Sequence, residues 1–274
     1  MLTQTLIFFL TIYTAVMVGV FLLQRHLLYH PDRTVDIPTS YGVETVEVIP
    51  LTTRDGMEIE AWHIPATDKA LPLMLYFHGN AGHIGNRIQK LGYYAEKGFG
   101  VVAVSYRGYG NSKGKPTESG LFEDARALVD YAVDGLGIAP ARILLYGESL
   151  GTGVATYTAK RLADEGTPAA ALILEAPYTS VADRSQELYP FLPARYLLRD
   201  RFDSASRIRD IQCPLLIIHG EADAVIPVHH GRAMFNLALE PKEAVFLPLI
   251  GHTDFNMPQM AEIVSDFTRK HVSN

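Results

Sequence analysis

The pentapeptide Gly147-Glu148-Ser149-Leu150-Gly151 lies between an apolar run, Ile143 to Tyr146, and a helix-period stretch, Thr152 to Leu162. A serine on a sharp strand-to-helix turn is lifted clear of both backbones and faces the amide-rich helix start, which suits a nucleophile. The same G-x-S-x-G pattern recurs at Gly110-Asn111-Ser112-Lys113-Gly114, but that copy follows a glycine-rich segment and precedes Lys115-Pro116. Lys115-Pro116 stands where the required helix should already be running, and a proline at its fourth position removes a helical N–H, so Ser112 reads as loop. Ser149 then needs an acid and a base, in that order, on loops after later strands. Asp223 follows the run Leu215 to His219, with Glu221 in the same loop and Glu175 after the preceding run as alternatives. Of ten histidines, His252 alone follows the next run, Ala244 to Leu249. A base there can offer one nitrogen to the serine hydroxyl and the other to a carboxylate. Upstream, the run Leu71 to Phe77 enters His78-Gly79-Asn80-Ala81-Gly82, where the amide of Asn80, with that of Leu150, could hold an oxyanion. The chemistry this pattern implies is acyl transfer through a covalent serine intermediate.

Other histidines fit structural roles. His219 reads as a strand end and His229-His230 as a helix surface, while the pair His26 and His30 lacks the glutamate of a metal-binding H-E-x-x-H helix. No metal or cofactor is implied.

The elements that must position these residues alternate. Val43 to Leu51 and Met57 to Ile64 flank the turn Thr53-Arg54-Asp55-Gly56 and read as a hairpin. Beyond them, continuous apolar runs (Leu71 to Phe77, Val101 to Ser105, Ile143 to Tyr146, Ala170 to Leu174, Leu215 to His219, Ala244 to Leu249) are separated by segments such as Leu121 to Leu136 with helical periodicity. Strand and helix in repeated alternation predict an α/β fold, a mainly parallel sheet with helices on both faces, and ligands gather at the carboxyl ends of such strands. A final helix is expected from about Pro258. Between Leu174 and Leu215 lies an insert too long for a simple connection. Residues 177–213 are expected to form a small cap that turns Phe191 and Leu192 toward an acyl pocket, or else a helix that buries only its own face.

With 274 residues, 48% hydrophobic and a net charge of −6, the chain suits one compact domain with a short appendage. One cysteine, Cys213, excludes an internal disulfide, and the want of basic clusters argues against a nucleic-acid partner. The appendage is the uncharged stretch Leu6 to Leu23, about 27 Å long as a helix, close to a bilayer's hydrocarbon thickness. A cleaved signal peptide and a buried core helix compete with a single membrane span. Against the signal peptide, Met1 to Thr5 carries no Lys or Arg, and Gln24-Arg25-His26 follows instead of a small-residue cleavage site. The expected organisation is a transmembrane anchor at 1–28, a connector at 29–40 and a catalytic domain at 41–274, in a plasma or inner membrane. Arg25 and Arg33 weakly favour the cytoplasmic side for the body.

His78-Gly79-Asn80-Ala81-Gly82, Tyr106-Arg107-Gly108-Tyr109-Gly110-Asn111-Ser112, Gly147-Glu148-Ser149-Leu150-Gly151 and His219-Gly220-Glu221-Ala222-Asp223 together resemble the bud-emergence-type branch of the α/β-hydrolases, over about Leu28 to His271. These are single-domain serine hydrolases, often with an N-terminal membrane segment, related to the catalytic domain of prolyl oligopeptidases. The resemblance implies the α/β-hydrolase fold, Ser149, Asp223 and His252 as catalytic residues, and cleavage of a small-molecule or lipid acyl ester or thioester without cofactor. Ser105 stands where members often carry an acidic residue before Tyr-Arg. A serine peptidase and a catalytically silent, membrane-tethered binding protein are the competing functions.

Overall fold

The computed structural model describes residues 2–34, 37–41 and 45–272. The chain opens with helix α1 (Leu2–Leu28) and a short strand, β1 (His30–Pro31). There follow β2 (Glu47–Thr52), β3 (Glu58–Ile64), β4 (Leu73–Phe77), the two-residue β5 (Ala81–Gly82), α2 (Ile88–Glu96), β6 (Val101–Ser105), α3 (Glu118–Asp130), β7 (Ile143–Glu148) and α4 (Leu150–Asp164). The second half holds β8 (Ala171–Glu175), α5 (Val181–Leu188), α6 (Ala194–Leu197), α7 (Ser204–Ile208), β9 (Leu215–Gly220), α8 (His229–Leu237), β10 (Lys242–Leu247) and α9 (Met257–His271).

Among the described residues, eight strands form one sheet in the order β10-β9-β8-β7-β4-β6-β3-β2. β2 and β3 pair antiparallel, as do β3 and β6, and every other neighbour pair is parallel. The expected hairpin is therefore β2–β3, while Val43 and Glu44 at its expected start lie outside the described residues. β4, β6, β8 and β9 are buried along their whole length and β7 is buried from Ile143 to Gly147, which requires apolar side chains on both faces and explains why those runs do not alternate. One core packs Leu75, Val102, Leu145 and Leu172 against α3 and α4; the other packs Met74, Tyr76, Leu144 and Ile173 against α2 and α9.

Several element bounds differ from expectation by a few residues, and one of them bears on the site. The last strand ends at Leu247 rather than Leu249, because Leu249 takes φ +62° and is 91% exposed. That turn redirects the chain toward Gly251-His252. The junction near residue 28 is no break in contacts either. His30 and Pro31 pair in parallel with Ala81 and Gly82, and the Asp32 carbonyl accepts the Gly110 amide at 2.7 Å.

Arg107 finds its acidic partners outside the local motif. Its Nε donates to the buried Asp124 at 2.8 Å and its terminal nitrogens to Asp55, while Ser105 donates to the Tyr109 carbonyl.

Candidate active site

β7 and α4 are joined by one residue, Ser149, with φ +51° and ψ −117°. A non-glycine residue in that region carries strain of roughly 1–3 kcal/mol and persists only where its surroundings over-determine it. Here they do. The Ser149 amide donates to the Glu175 carbonyl at 2.9 Å, and its own carbonyl accepts both the amide and the hydroxyl of Thr152. Gly151 is required by the close approach of α4 to β4, since a Cβ there would lie 2.0 Å from the Phe77 carbonyl oxygen.

The loops after β9 and β10 bring two further groups to the serine. His252 Nε2 stands 2.9 Å from Ser149 Oγ, and its Nδ1 stands 2.7 Å from Asp223 Oδ2. With Nδ1–H donating to the carboxylate, Nε2 is left to accept the serine proton. Asp223 Oδ1 accepts the amides of Val225 and Ile226 at 2.8 Å each. Burial works against its charge, but hydrogen bonds from His219, His252 and the Ile226 amide outweigh it and hold the carboxyl well below the usual carboxylate range. His219 is wholly buried and holds the Ile226 carbonyl at 2.7 Å, the supporting role expected of a strand end.

The alternative acids lie elsewhere. Glu221 pairs with Arg232 on the surface at 2.6 Å. Glu175 points into a buried polar cluster on the α2 side of the sheet, which sequence reasoning missed. Lys90 Nζ reaches Glu175 at 2.5 Å and Glu148 at 3.1 Å, Arg87 reaches Glu148 at 2.8 Å, and Tyr76 and Tyr146 donate to Glu148 and Glu175 respectively. Burial alone would favour a neutral Glu148, yet Lys90 and Arg87 overcome it and push its pKa down. Arg87 also donates to the Ala81 carbonyl at 2.9 Å, tying the Gly79-Asn80 loop to the elbow. The only sequence signals were a Glu inside G-x-S-x-G and, far upstream, the cations Arg87 and Lys90 at the start of the helix that follows His78 to Gly82.

Lys90→Met should leave two buried carboxylates undercompensated and cost about 3–5 kcal/mol, lowering Tm by on the order of 10 °C. A depressed folded-state pKa contributes stability that is present above the ordinary Glu value of 4.5 and is lost as pH falls. The Tm gap between wild type and Lys90→Met should therefore narrow on acidification below that value, as differential scanning calorimetry can check.

The loop expected to cradle an oxyanion lies beside the elbow, since a Cβ on Gly79 would come within 3.5 Å of Ser149 Cβ. Asn80 is held on three sides: its carbonyl accepts the His30 amide at 2.9 Å and the Tyr109 hydroxyl at 2.8 Å, and its side chain donates to the Leu28 carbonyl at 2.9 Å. Leu150 is the first residue of α4, so its amide has no acceptor within the helix. Asn80, Ser149 and Leu150 all border a cavity of about 240 Å³. Its walls are otherwise largely apolar, drawn from the insert (Leu188, Leu192, Leu197, Leu198) and from α1. Leu192 is buried at 6% exposure and lines it, whereas Phe191, expected beside it, is 68% exposed and turned outward.

His230 is buried rather than on the helix surface. It stacks on His229, and both rings hydrogen-bond Glu187 of α5 at 3.1 and 3.0 Å. These three are a group whose donor atoms could hold a metal ion, all within 4.8 Å of one another, among the described residues. As they stand, their mutual hydrogen bonds pin α5 to α8.

Residues 68–205 match the family model described as serine aminopeptidase, S33. An uncharacterized protein of Mycobacterium tuberculosis is 36% identical over 232 residues, 84% of this chain and 81% of the relative. The lysophosphatidylserine lipase ABHD12 of Danio rerio is 33% identical over 276 residues, covering 85% of this chain and 72% of its own length. Among solved structures, the Pyrococcus furiosus esterase Pf2001 superposes with a TM-score of 0.70 at 18% identity, over 90% of this chain and 99% of that one, a likeness of fold.

Proposed function

Because this chain belongs to the serine aminopeptidase S33 family of α/β hydrolases, we propose that it hydrolyses carboxylic esters or thioesters through an acyl-enzyme on Ser149. The observation that carries this reading is an apolar cavity with Ser149 in its wall and the His252–Asp223 pair behind the hydroxyl. As Ser149 Oγ attacks the acyl carbon, its proton passes to His252 Nε2, and the amides of Asn80 and Leu150 receive the developing oxyanion. Asp223 stabilises the imidazolium. That proton then goes to the leaving alkoxide or thiolate, giving the alcohol or thiol. Water, deprotonated by His252, cleaves the acyl-enzyme and returns the proton to Ser149. None of these steps calls on a metal or cofactor.

A peptidase that takes a free amino terminus needs acidic groups to receive the ammonium. Among the described residues lining the cavity there is no carboxylate, and Arg184 is the charged side chain present. That favours acyl esters over peptides. In this reading residues 177–213 cap the pocket, and α1, the one described helix long and apolar enough to cross a membrane, anchors the protein as a single-pass span. Arg25 and Arg33 favour a body on the cytoplasmic face of a plasma or inner membrane.

The test is a p-nitrophenyl ester and thioester series run beside aminoacyl p-nitroanilides on the full chain. Esters should be cleaved and anilides should not; the reverse would make this a peptidase. Within that series, Leu192→Ala should shift preference among acyl chain lengths by about tenfold, since each buried methylene is worth about 0.8 kcal/mol. Equal loss at every length would mean that Leu192 serves only the fold.

A further inference from the structure

A tether needs no fixed seat, yet α1 has one. Two polar residues along it reach the insert: Tyr13 donates to the Phe191 carbonyl at 3.0 Å, and Gln24 donates to the Leu197 carbonyl and accepts the Arg199 amide at 2.7 Å. Arg25 forks onto the buried Asp200 at 2.8 and 3.0 Å, and Tyr29 reaches the same carboxylate. Val20, Gln24, Leu27 and Leu28 then face the cavity that holds Ser149. At its end, α1 is joined to the Asn80 loop through the Leu28 carbonyl and the His30 amide. The helix read above as the membrane span is thus one wall of the cavity that Ser149 borders.

Distance along the helix adds a second constraint. Tyr13 lies twelve residues before Arg25, about 18 Å, comparable with the roughly 15 Å of one hydrocarbon leaflet. The insert therefore runs beside the apolar part of α1. There it exposes Leu188, Tyr189, Phe191 and Tyr196, a cluster costly to keep in water and at home in lipid.

We infer that α1 and the insert together form a lipid-side acyl site: a long-chain acyl ester passes from the near leaflet between them, and its chain lies against Val20 and Leu27 while its carbonyl meets Ser149. This rests on the Ser149 reading above and adds where the substrate comes from and what holds its tail. The occupant is a membrane-resident ester with a long acyl chain, because the walls are largely apolar and one of them is α1, the helix read above as the membrane span.

The experiment uses the full chain in phosphatidylcholine vesicles. Val20→Trp and Leu27→Trp fill the wall, so the ratio of kcat/KM for p-nitrophenyl palmitate to that for p-nitrophenyl acetate should fall at least tenfold, on the order expected for a few methylenes left unburied. Phe9→Trp, on the free part of α1, should leave that ratio at its wild-type value. A wild-type ratio in both wall variants overturns the inference. Position is read separately, and without reliance on pocket folding, by Phe191→Trp in vesicles of brominated phosphatidylcholine. The native Trp62 is buried in the core, so loss of fluorescence reports the new side chain; no loss places the insert outside the leaflet and overturns the inference. Labelling of wild type and every variant by a fluorophosphonate separates the two layers. Label on Ser149 with unmoved ratios sinks only the lipid-side site, whereas a wild type that neither labels nor cleaves esters sinks the Ser149 reading and this inference with it.

Discussion

Ser149→Ala is expected to abolish fluorophosphonate labelling and to lower kcat/KM by on the order of 10⁴ to 10⁶, because the nucleophile and its base act as a unit. Ser112→Ala should label as wild type. The two serines share a sequence pattern but not a setting. Ser112 Oγ donates to the Ser105 carbonyl at 2.7 Å and accepts the Glu60 amide at 2.9 Å, so it fastens its loop to the sheet. Its removal leaves the half-buried Glu60 amide without that acceptor, which costs about 1 kcal/mol of stability and no chemistry. Mass spectrometry of the labelled peptide checks both expectations; label on Ser112, or label that survives Ser149→Ala, overturns the nucleophile assignment.

Asp223→Asn should lower turnover by roughly 10³ to 10⁴. The amide cannot receive Nδ1–H as a carboxylate does, so the imidazole is turned to the wrong tautomer and its cation loses its counter-charge. His252→Ala should be at least as damaging. The double variant should be little worse than the poorer single, since neither group works alone. Glu175→Gln makes a useful contrast. Its carboxylate meets Lys90 and Tyr146, so the expected loss is in Tm, while steady-state rates measured well below the melting range remain close to wild type. Near-normal activity in Asp223→Asn together with loss in Glu175→Gln would move the acid to the earlier strand.

Which of three carboxylates stands beside His252 is a matter of faces. Glu175 and Asp223 both follow buried strands, and in each case the local sequence is compatible with a loop acid. The sheet's pleat sends Glu175 toward α2, whereas the β9 loop folds back so that two amides and His219 grip Asp223. A one-residue change of register reverses a strand's faces. In a strand buried on both faces, no alternation of polarity marks which side is which.

The chain's own residues determined a good deal. Continuous apolar runs separated by helix-period segments are the mark of a doubly covered parallel sheet, and the strand, turn and helix around Ser149 follow from neighbours within a few positions of it. The order of Ser149, Asp223 and His252, which the fold brings into one hydrogen-bonded row, is likewise written along the chain. Only the tertiary structure decided what depends on distant segments meeting. It turned Leu192 inward and Phe191 outward, buried Lys90 between Glu148 and Glu175, and laid α1 against the insert as a wall of the cavity. An apolar helix has the same local signature whether or not one side of it packs against the body of the protein. The choice is made by Tyr13, Gln24 and Arg25 finding partners about 170 residues away, and nothing in the periodicity of a single segment encodes so distant a pairing.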